Sequence, residues 1–310
     1  MATTAPTTTD LVHQALRGRR LNPVDSLVAG GLLLALLASL GILVVLLVDI
    51  LQGGLGLLAE RGWQLISANL SPEPARAGLV QGIMGSIAVT AFVVVIAFPL
   101  GVAAAVYLEE YARDNRLTRL INANIRNLAG VPSIVYGLLG LSVFVNLLGG
   151  FTNGRTVVSG GLTLAILVLP IMIITSAEAL RAVPQELREA SYGVGATRWE
   201  TVRHQVLPVA APAILTGTVL TVARAFGESA PLLLAGALVS NFFSVAADAG
   251  FYELITDQPY TVLPIVIFNW ARQPQREFIE LTFAAIIVLL VLLLTVNAAA
   301  ILLRDRFERR

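Results

Sequence analysis

The chain has 310 residues, of which 56% are hydrophobic and 13% are charged, with a mean hydropathy of +0.79. This composition excludes an ordinary soluble domain and indicates a polytopic membrane protein. Cysteine is absent and every basic residue is an arginine, which excludes disulfides, thiolate catalysis, a lysine Schiff base and a Walker A phosphate loop. The two histidines, His13 and His204, lack metal-ligand spacing, and the net charge of +1 gives no reason to expect a nucleic-acid partner.

Six apolar stretches, taken in chain order, predict six transmembrane helices and an all-α membrane protein. Each reaches or exceeds the roughly 20 residues that cross a bilayer. The stretches are Leu27–Val48, Ala77–Leu108, Asn127–Gly154, Thr156–Ala177, Val209–Leu238 and Leu281–Leu303. The first is longer than the ~7–15-residue apolar core of a cleaved signal peptide, so we expect it to remain as a membrane helix.

The segments between these stretches are more polar. The residues Glu60, Arg61, Trp63 and Glu73 predict a loop after the first stretch, and Pro99 predicts a kink in the second. Several prolines break the region before the last stretch. Within that region, Tyr260–Trp270 is apolar enough to lie at the membrane interface or to enter it partway.

The distribution of arginine predicts the orientation. With six spans, fifteen arginines lie on the side of the two termini, five lie on the other side, and Arg224 lies within a span. By the positive-inside rule, the termini are expected to be cytoplasmic. We therefore expect a cytoplasmic tail over residues 1–25, a six-helix domain over residues 26–304 with a helical pair at about 184–206, and a short cytoplasmic tail over residues 305–310.

A charged segment, residues 178–208, separates the fourth and fifth stretches and has the pattern of two short helices. Pro184 suits a first helical turn, and Gly193 and Gly195 can end that helix. Thr197 and Glu200 have the spacing of a capping box, which predicts a second helix from Arg198 to about Gln205.

Six residues of this segment match the spacing of the EAA motif, so the chain resembles the permease subunits of ABC importers. In that family the segment docks into a cytoplasmic ATPase subunit, which is consistent with a chain that has no P-loop lysine. One departure is Gln205, where the family pattern has isoleucine. On the residue pattern alone, a solvated helical loop remains an alternative. The residues to which the resemblance assigns ATPase coupling are Glu189, Ala190, Ser191, Gly195, Leu207 and Pro208.

Two charged residues, Arg224 and Glu228, fall inside the fifth stretch. At a spacing of four they would share one helix face. A charge at this depth costs at least about 2.5–3.5 kcal/mol, so we expect the pair to face the bundle interior or a watery cavity. One interpretation is an ion pair that fixes helix packing. The other is that Arg224 binds an anion in transit, because its planar guanidinium donates two hydrogen bonds to phosphate oxygens, with Glu228 holding it in place.

Three further segments resemble the phosphate importer permeases of the PstA family, and the similarity extends over about residues 78–300. They are Leu128–Gly137, Ala223–Pro231 and Leu263–Trp270. The resemblance implies a type I ABC importer permease of the MetI-like fold in the bacterial cytoplasmic (inner) membrane. It also implies phosphate import by alternating access, without catalysis by this chain.

The resemblance implies four partners: a homologous permease (PstC), an ATPase dimer (PstB), a phosphate-binding protein (PstS) and inorganic phosphate itself. ATP and magnesium would be bound by the ATPase, so no cofactor is expected on this chain. A permease for sulfate or molybdate is the nearest alternative, since arginine recognises these oxyanions too. An ion-coupled secondary transporter is a more distant one, because we find no internal repeat of the kind that class favours.

Gly130, Pro132 and Ser133 begin the third stretch with an interruption. One interpretation is a packing kink in a membrane helix. The other is an opened turn whose backbone or whose Ser133 hydroxyl lines the substrate path, because irregular backbone at membrane depth is tolerated mainly where it faces a cavity.

Overall fold

The computed structural model describes residues 23–237 and 259–308. Contacts within the chain divide it between Gln52 and Gly53. Most of the predicted N-terminal tail and the segment from Leu238 to residue 258 lie outside the described residues.

The first helix is longer than the sequence predicts. Helix α1 spans Pro23–Ser67, so the predicted loop is wrong at Glu60, Arg61 and Trp63, whereas Glu73 lies in the loop that follows the helix. The physical reason is that residues 51–67 contain no proline and include five leucines and two glutamines, which favour a helix despite the four glycines. From residue 24 to residue 49 every residue of α1 is exposed, as expected for an apolar helix in lipid.

Helix α2 corresponds to the second predicted span. It runs over Val80–Val106 with Pro99 inside it, and a π-helical turn, Tyr107–Tyr111, extends it. Near its start, an added Cβ at Gly85 would lie 1.8 Å from the carbonyl oxygen of Thr261, and the Ser86 hydroxyl accepts a hydrogen bond from the Leu263 amide at 2.9 Å. The start of α2 is therefore held against the backbone of residues 261–263.

The third predicted span is interrupted near its start. Helix α3 (Arg116–Ala129) and helix α4 (Ser133–Leu139) meet at a bend of 102°, and a π-helical turn over Gly140–Leu147 extends α4. The predicted interruption at Gly130, Pro132 and Ser133 is therefore confirmed, because Pro132 cannot continue α3 and instead precedes the first turn of α4. The short helix α5 follows over Gly149–Thr152.

The fourth span is α6, Val157–Arg181, with Pro170 inside it. The charged segment then forms two helices, α7 (Gln185–Gly193) and α8 (Arg198–Thr201), which we call the helix pair. A π-helical turn over residues 202–206 leads directly into α9, Leu207–Gly227.

The fifth predicted span is shorter than expected. Helix α9 ends at Gly227, and Glu228 has extended backbone angles (φ −75°, ψ 126°). A separate short helix, α10, spans Ala230–Leu234 with Pro231 in its first turn. The prediction of one helix to Leu238 is therefore wrong: Pro231 supplies no amide hydrogen to continue α9 and instead starts a new helix.

The last two helices are α11, Leu263–Trp270, and α12, Arg276–Glu308. Helix α11 is short and its Leu263, Ile265 and Trp270 side chains are almost fully buried. Among the described residues, five helices are long and apolar enough to cross a membrane, and counting the bent α3–α4 pair as one span brings the number to six.

The core lies where α2, α6 and α9 meet. One apolar cluster joins α2 to α6 through Val89, Val93 and Leu164. A second lies beside the helix pair and includes Ala105, Leu180 and Val206. The ends of α2, α6 and α9 that adjoin the helix pair are therefore packed into one apolar layer.

Candidate functional site

The turn within the helix pair has the geometry that its sequence predicts. The Thr197 hydroxyl accepts a hydrogen bond from the Glu200 amide at 3.3 Å, and the Glu200 carboxylate accepts one from the Thr197 amide at 2.8 Å. This reciprocal arrangement confirms the predicted capping box. Gly195 has a φ of +88°, a conformation that glycine adopts without steric cost.

The residues that match the EAA pattern lie on two surfaces of the helix pair. Glu189, Ala190 and Gly195 are exposed. Ser191 faces inward, and its hydroxyl lies 2.9 Å from that of Thr201, so it joins α7 to α8. The first three residues are therefore accessible to another protein, whereas Ser191 holds the two helices together.

The end of the pattern coincides with the start of α9. Leu207 packs against the apolar layer beside the helix pair, and Pro208 lies at the start of α9, directly after the π-helical turn. Gln205, the departure from the family pattern, is exposed between the buried side chains of Val202 and Val206. A polar residue at this position therefore costs no buried contact.

A buried ion pair attaches the helix pair to the end of α2. Arg188 Nη2 lies 2.7 Å from Glu110 Oε1, and the two side chains are only 12% and 7% exposed. The same guanidinium donates hydrogen bonds to the carbonyl oxygens of Leu180 at 2.9 Å and Val183 at 2.8 Å. Arg188 therefore connects α7 with the last turn of α6 and with α2.

A second ion pair runs beside the first. Arg181, the last residue of α6, donates through Nε to Glu109 Oε2 at 2.7 Å. This pair is more exposed, since the Arg181 side chain keeps 47% of its accessible surface. Sequence reasoning assigned no role to these four charged residues, because the partners lie 72 and 78 positions apart and no local pattern specifies their pairing.

Arg224 and Glu228 are in contact, but not in the predicted way. Arg224 lies in the last turn of α9, whereas Glu228 lies just beyond that helix. The Arg224 Nε atom is 3.5 Å from Glu228 Oε1, and the side chains are 53% and 18% exposed. The arginine is thus held at one edge by a carboxylate and still accessible over half of its surface, an arrangement that can bind an anion.

The structure also brings the two interrupted segments together. Tyr136 donates a hydrogen bond from its hydroxyl to the Leu128 carbonyl at 2.8 Å, across the break that precedes Ser133. A Cβ added at Gly137 would lie 2.8 Å from the Cα atom of Pro231. Helix α4, which begins at the half-buried Ser133, therefore packs backbone to backbone against α10, which follows the Arg224–Glu228 pair.

No group of acidic residues and histidines capable of holding a metal ion occurs within residues 23–237 and 259–308. The arrangement in this part of the chain is one of exposed helices, ion pairs and an accessible arginine.

Comparisons with known proteins agree with this architecture. The chain is 35% identical over 282 residues to a protein of Bacillus subtilis named probable ABC transporter permease protein YqgI, covering 88% of this chain and 93% of the relative. It is 34% identical over 269 residues to the phosphate transport system permease protein PstA 1 of Mycobacterium tuberculosis strain H37Rv, covering 86% and 83%. It is 35% identical over 232 residues to the PstA protein of Yersinia pestis, covering 74% and 73%.

A similar fold occurs in a solved structure of the MetNI methionine ABC transporter. That chain superposes with a TM-score of 0.56 at 21% identity, covering 74% of this chain and 95% of the other. The likeness shows a helical permease fold of the MetI type. The family model described as "binding-protein-dependent transport system inner membrane component" matches residues 97–310, and the chain belongs to this family of ABC importer permeases.

Proposed function

We propose that this chain is the permease subunit that carries inorganic phosphate through the membrane in an ATP-driven importer. The observation that carries the proposal is its identity of about one third, over most of its length, to relatives named as phosphate transport system permeases. The accessible Arg224 beside Glu228 supports it, because a guanidinium pairs with phosphate oxygens through two parallel hydrogen bonds.

In the proposed mechanism, transport proceeds by alternating access. Arg224 binds the anion transiently, and Glu228 keeps the guanidinium oriented while the path is empty. Ser133, at the start of the helix that packs against α10, contributes a hydroxyl to the same path. The chain supplies no covalent chemistry, so ATP and magnesium belong to a partner ATPase.

The helix pair is the proposed docking surface for that ATPase. Its residues Glu189, Ala190 and Gly195 are exposed. On the inner side of the pair, the contact between the Ser191 and Thr201 hydroxyls joins α7 to α8. The proposed partners follow the phosphate system: an ATPase dimer (PstB), a second permease (PstC) and a phosphate-binding protein (PstS). In this arrangement, the helix pair and both termini face the cytoplasm, which agrees with the excess of arginine on that side.

The docking role is tested by changing the charge of the exposed surface. Glu189→Arg should release the ATPase from the purified complex, whereas Glu186→Arg, an exposed acidic residue on the first turn of the same helix, is the matched control. Co-purification of the ATPase with the membrane subunit is the measurement. Equal recovery of the ATPase with both variants would mean that Glu189 is not part of the docking surface.

The substrate is tested by uptake of radiolabelled phosphate in cells that lack this chain, with and without the chain restored. Sulfate and molybdate uptake are measured in parallel, because arginine binds those oxyanions as well. We expect restoration to recover phosphate uptake alone. Recovery of sulfate or molybdate uptake instead would assign the chain to another oxyanion. This second candidate is favoured by the Bacillus subtilis relative, whose name gives no substrate.

A further inference from the structure

Three side-chain contacts connect the end of α2 to the segment around the helix pair. Two are the ion pairs Glu109–Arg181 and Glu110–Arg188. In the third, the Arg198 guanidinium at the start of α8 lies 5.7 Å from the ring centroid of Tyr111. All three use residues of the π-helical turn that extends α2, so this turn is an attachment point for both helices of the pair.

The Glu110–Arg188 pair is built to hold one geometry. Glu110 is buried and faces two nitrogen atoms of the guanidinium, with Nη2 at 2.7 Å and Nε at 3.3 Å. Arg188 also donates hydrogen bonds from Nη2 to the Leu180 carbonyl oxygen and from Nη1 to the Val183 carbonyl oxygen. A buried guanidinium with these partners is fixed in orientation, because any rotation would leave a charge or a carbonyl without its hydrogen bond.

The attachment is placed where it can transmit a displacement. From Glu110 to Ser86 the chain of α2 and its π-helical turn covers about 36 Å at 1.5 Å per residue. At the far end of this distance, Ser86 is hydrogen-bonded to the Leu263 amide, and Gly85 is in close contact with the Thr261 backbone. A shift of α7 would therefore act on one end of a helix whose other end is bound to the segment preceding α11.

We propose that the Glu110–Arg188 pair is the mechanical joint between the helix pair and the membrane helices, with Glu109–Arg181 and Arg198–Tyr111 as its supports. Glu110 and Arg188 are positioning residues: they touch neither substrate nor nucleotide, and they convert movement of a docked partner into movement of α2. This inference rests on the proposed docking role of the helix pair, but not on phosphate as the substrate.

The joint is tested in the reconstituted complex of this chain with its ATPase, using two spin labels. The natural chain has no cysteine, so labels on Tyr107→Cys and Glu186→Cys report the distance between the end of α2 and α7 without further changes. Both positions are exposed. With the Glu110–Arg188 pair intact, we expect a narrow distribution of label distances that shifts when ATP is added. In Glu110→Gln or Arg188→Met, we expect the distribution to be broad and ATP to leave it unchanged.

The second readout is the stimulation of ATP hydrolysis by the substrate-binding protein carrying its substrate. We expect each neutral variant to retain the bound ATPase and its basal hydrolysis while losing about fivefold or more of the stimulation. The double variant should lose no more than Arg188→Met alone, because Arg188→Met already removes the interaction with Glu110. Arg119→Gln, which removes an exposed pair with Asp114 at 3.8 Å, is the control and should change neither readout.

Unaltered label distances and full stimulation in Glu110→Gln would overturn the joint, as would additive losses in the double variant. If the neutral variants do not accumulate, the same measurements are made on Glu110→Asp, whose carboxylate is one methylene short of Arg188. The proposal is also contradicted if Glu110→Asp has the same label distances and the same stimulation of ATP hydrolysis as the chain with Glu110. Failure of phosphate uptake by the natural chain would leave the label result standing, so the two failures are distinguishable.

Discussion

Arg224 and Glu228 form an ion pair across the end of a helix, with the arginine in the last turn of α9 and the carboxylate on extended backbone beyond it. The carboxylate is therefore positioned by the α9–α10 connection rather than by α9 itself. The arginine side chain is still 53% exposed, so we expect its loss to reduce transport of an anion.

Replacement of Arg224 by glutamine should reduce phosphate uptake by about tenfold to a hundredfold, since a hydrogen bond to a charged group contributes about 1.5–3 kcal/mol. Assembly with the ATPase should be unchanged, because Arg224 lies far along the chain from the helix pair. Initial uptake rates at saturating phosphate give the measurement. Arg113→Gln, which changes an exposed arginine, is the control. Normal uptake in Arg224→Gln would mean that the Arg224–Glu228 pair serves helix packing only.

Gly195→Ala should loosen the helix pair, whereas Gly193→Ala should not. Neither added Cβ meets an atom within 4 Å, so the difference is conformational: Gly195 has a φ of +88° and Gly193 is helical. The left-handed conformation costs alanine about 1–2 kcal/mol, while alanine in a helix is favoured over glycine by about 1 kcal/mol.

The rate of trypsin cleavage after Arg198 in the folded protein measures this loosening. A cost of one to two kcal/mol corresponds to about a five- to thirtyfold faster cleavage in Gly195→Ala if cleavage follows local opening. Equal rates in the two variants would contradict the left-handed conformation assigned to Gly195.

Gly85→Ala should destabilise the bundle by about 3 kcal/mol, the upper end of the usual cost of overpacking a buried contact. The added Cβ would lie 1.8 Å from the Thr261 carbonyl oxygen. This is a backbone atom, so it cannot move aside as the end of a flexible side chain could. At Gly82, one turn away, the nearest atoms are side-chain carbons of Val266 and Leu263 at 3.2 and 3.3 Å, so Gly82→Ala should cost less than about 1.5 kcal/mol.

Thermal unfolding in detergent compares these two α2 variants directly. A large drop in the midpoint for Gly85→Ala and a small one for Gly82→Ala is the expected result. Similar midpoints would mean that the segment carrying Thr261 is not held against α2.

Single cysteines at Ala75 and Val194 should react from opposite sides of the membrane. Ala75 precedes the start of α2, whereas Val194 lies in the helix pair that contacts the other end of α2. Both positions are exposed, and the chain has no native cysteine to interfere. In intact cells, a membrane-impermeant maleimide should label Ala75→Cys and leave Val194→Cys unmodified until the membrane is opened. Labelling of both in intact cells would contradict the proposed orientation.

Features with local causes were predictable from the sequence. The capping box of Thr197 and Glu200 is confirmed because its hydrogen bonds join residues three apart. The apolar stretches from which the spans were predicted are equally local. The break at Pro132 was predictable for the same reason, because proline and glycine mark it locally. The end of α9 was not, because the apolar composition continues past Glu228, where the chain leaves the helix.

The ion pairs at the end of α2 illustrate a different limit. Glu110 is one of two adjacent glutamates, and its partner among the many arginines is selected only by the packing of α2 against α6 and α7. A charged residue at the end of an apolar helix can equally be solvated, so the sequence does not separate Glu110, which is buried, from exposed neighbours such as Asp114. The roles of Arg224, Ser133 and the EAA residues stay predictions until the variants are measured.

The contact between Gly137 and Pro231 limits how the bundle can rearrange. Because a Cβ added at Gly137 would lie only 2.8 Å from the Pro231 Cα atom, any side chain larger than glycine at this position would push α4 and α10 apart. The two helix interruptions, distant in sequence, therefore meet at this contact, and a rearrangement that moves one of them either carries the other with it or breaks the contact.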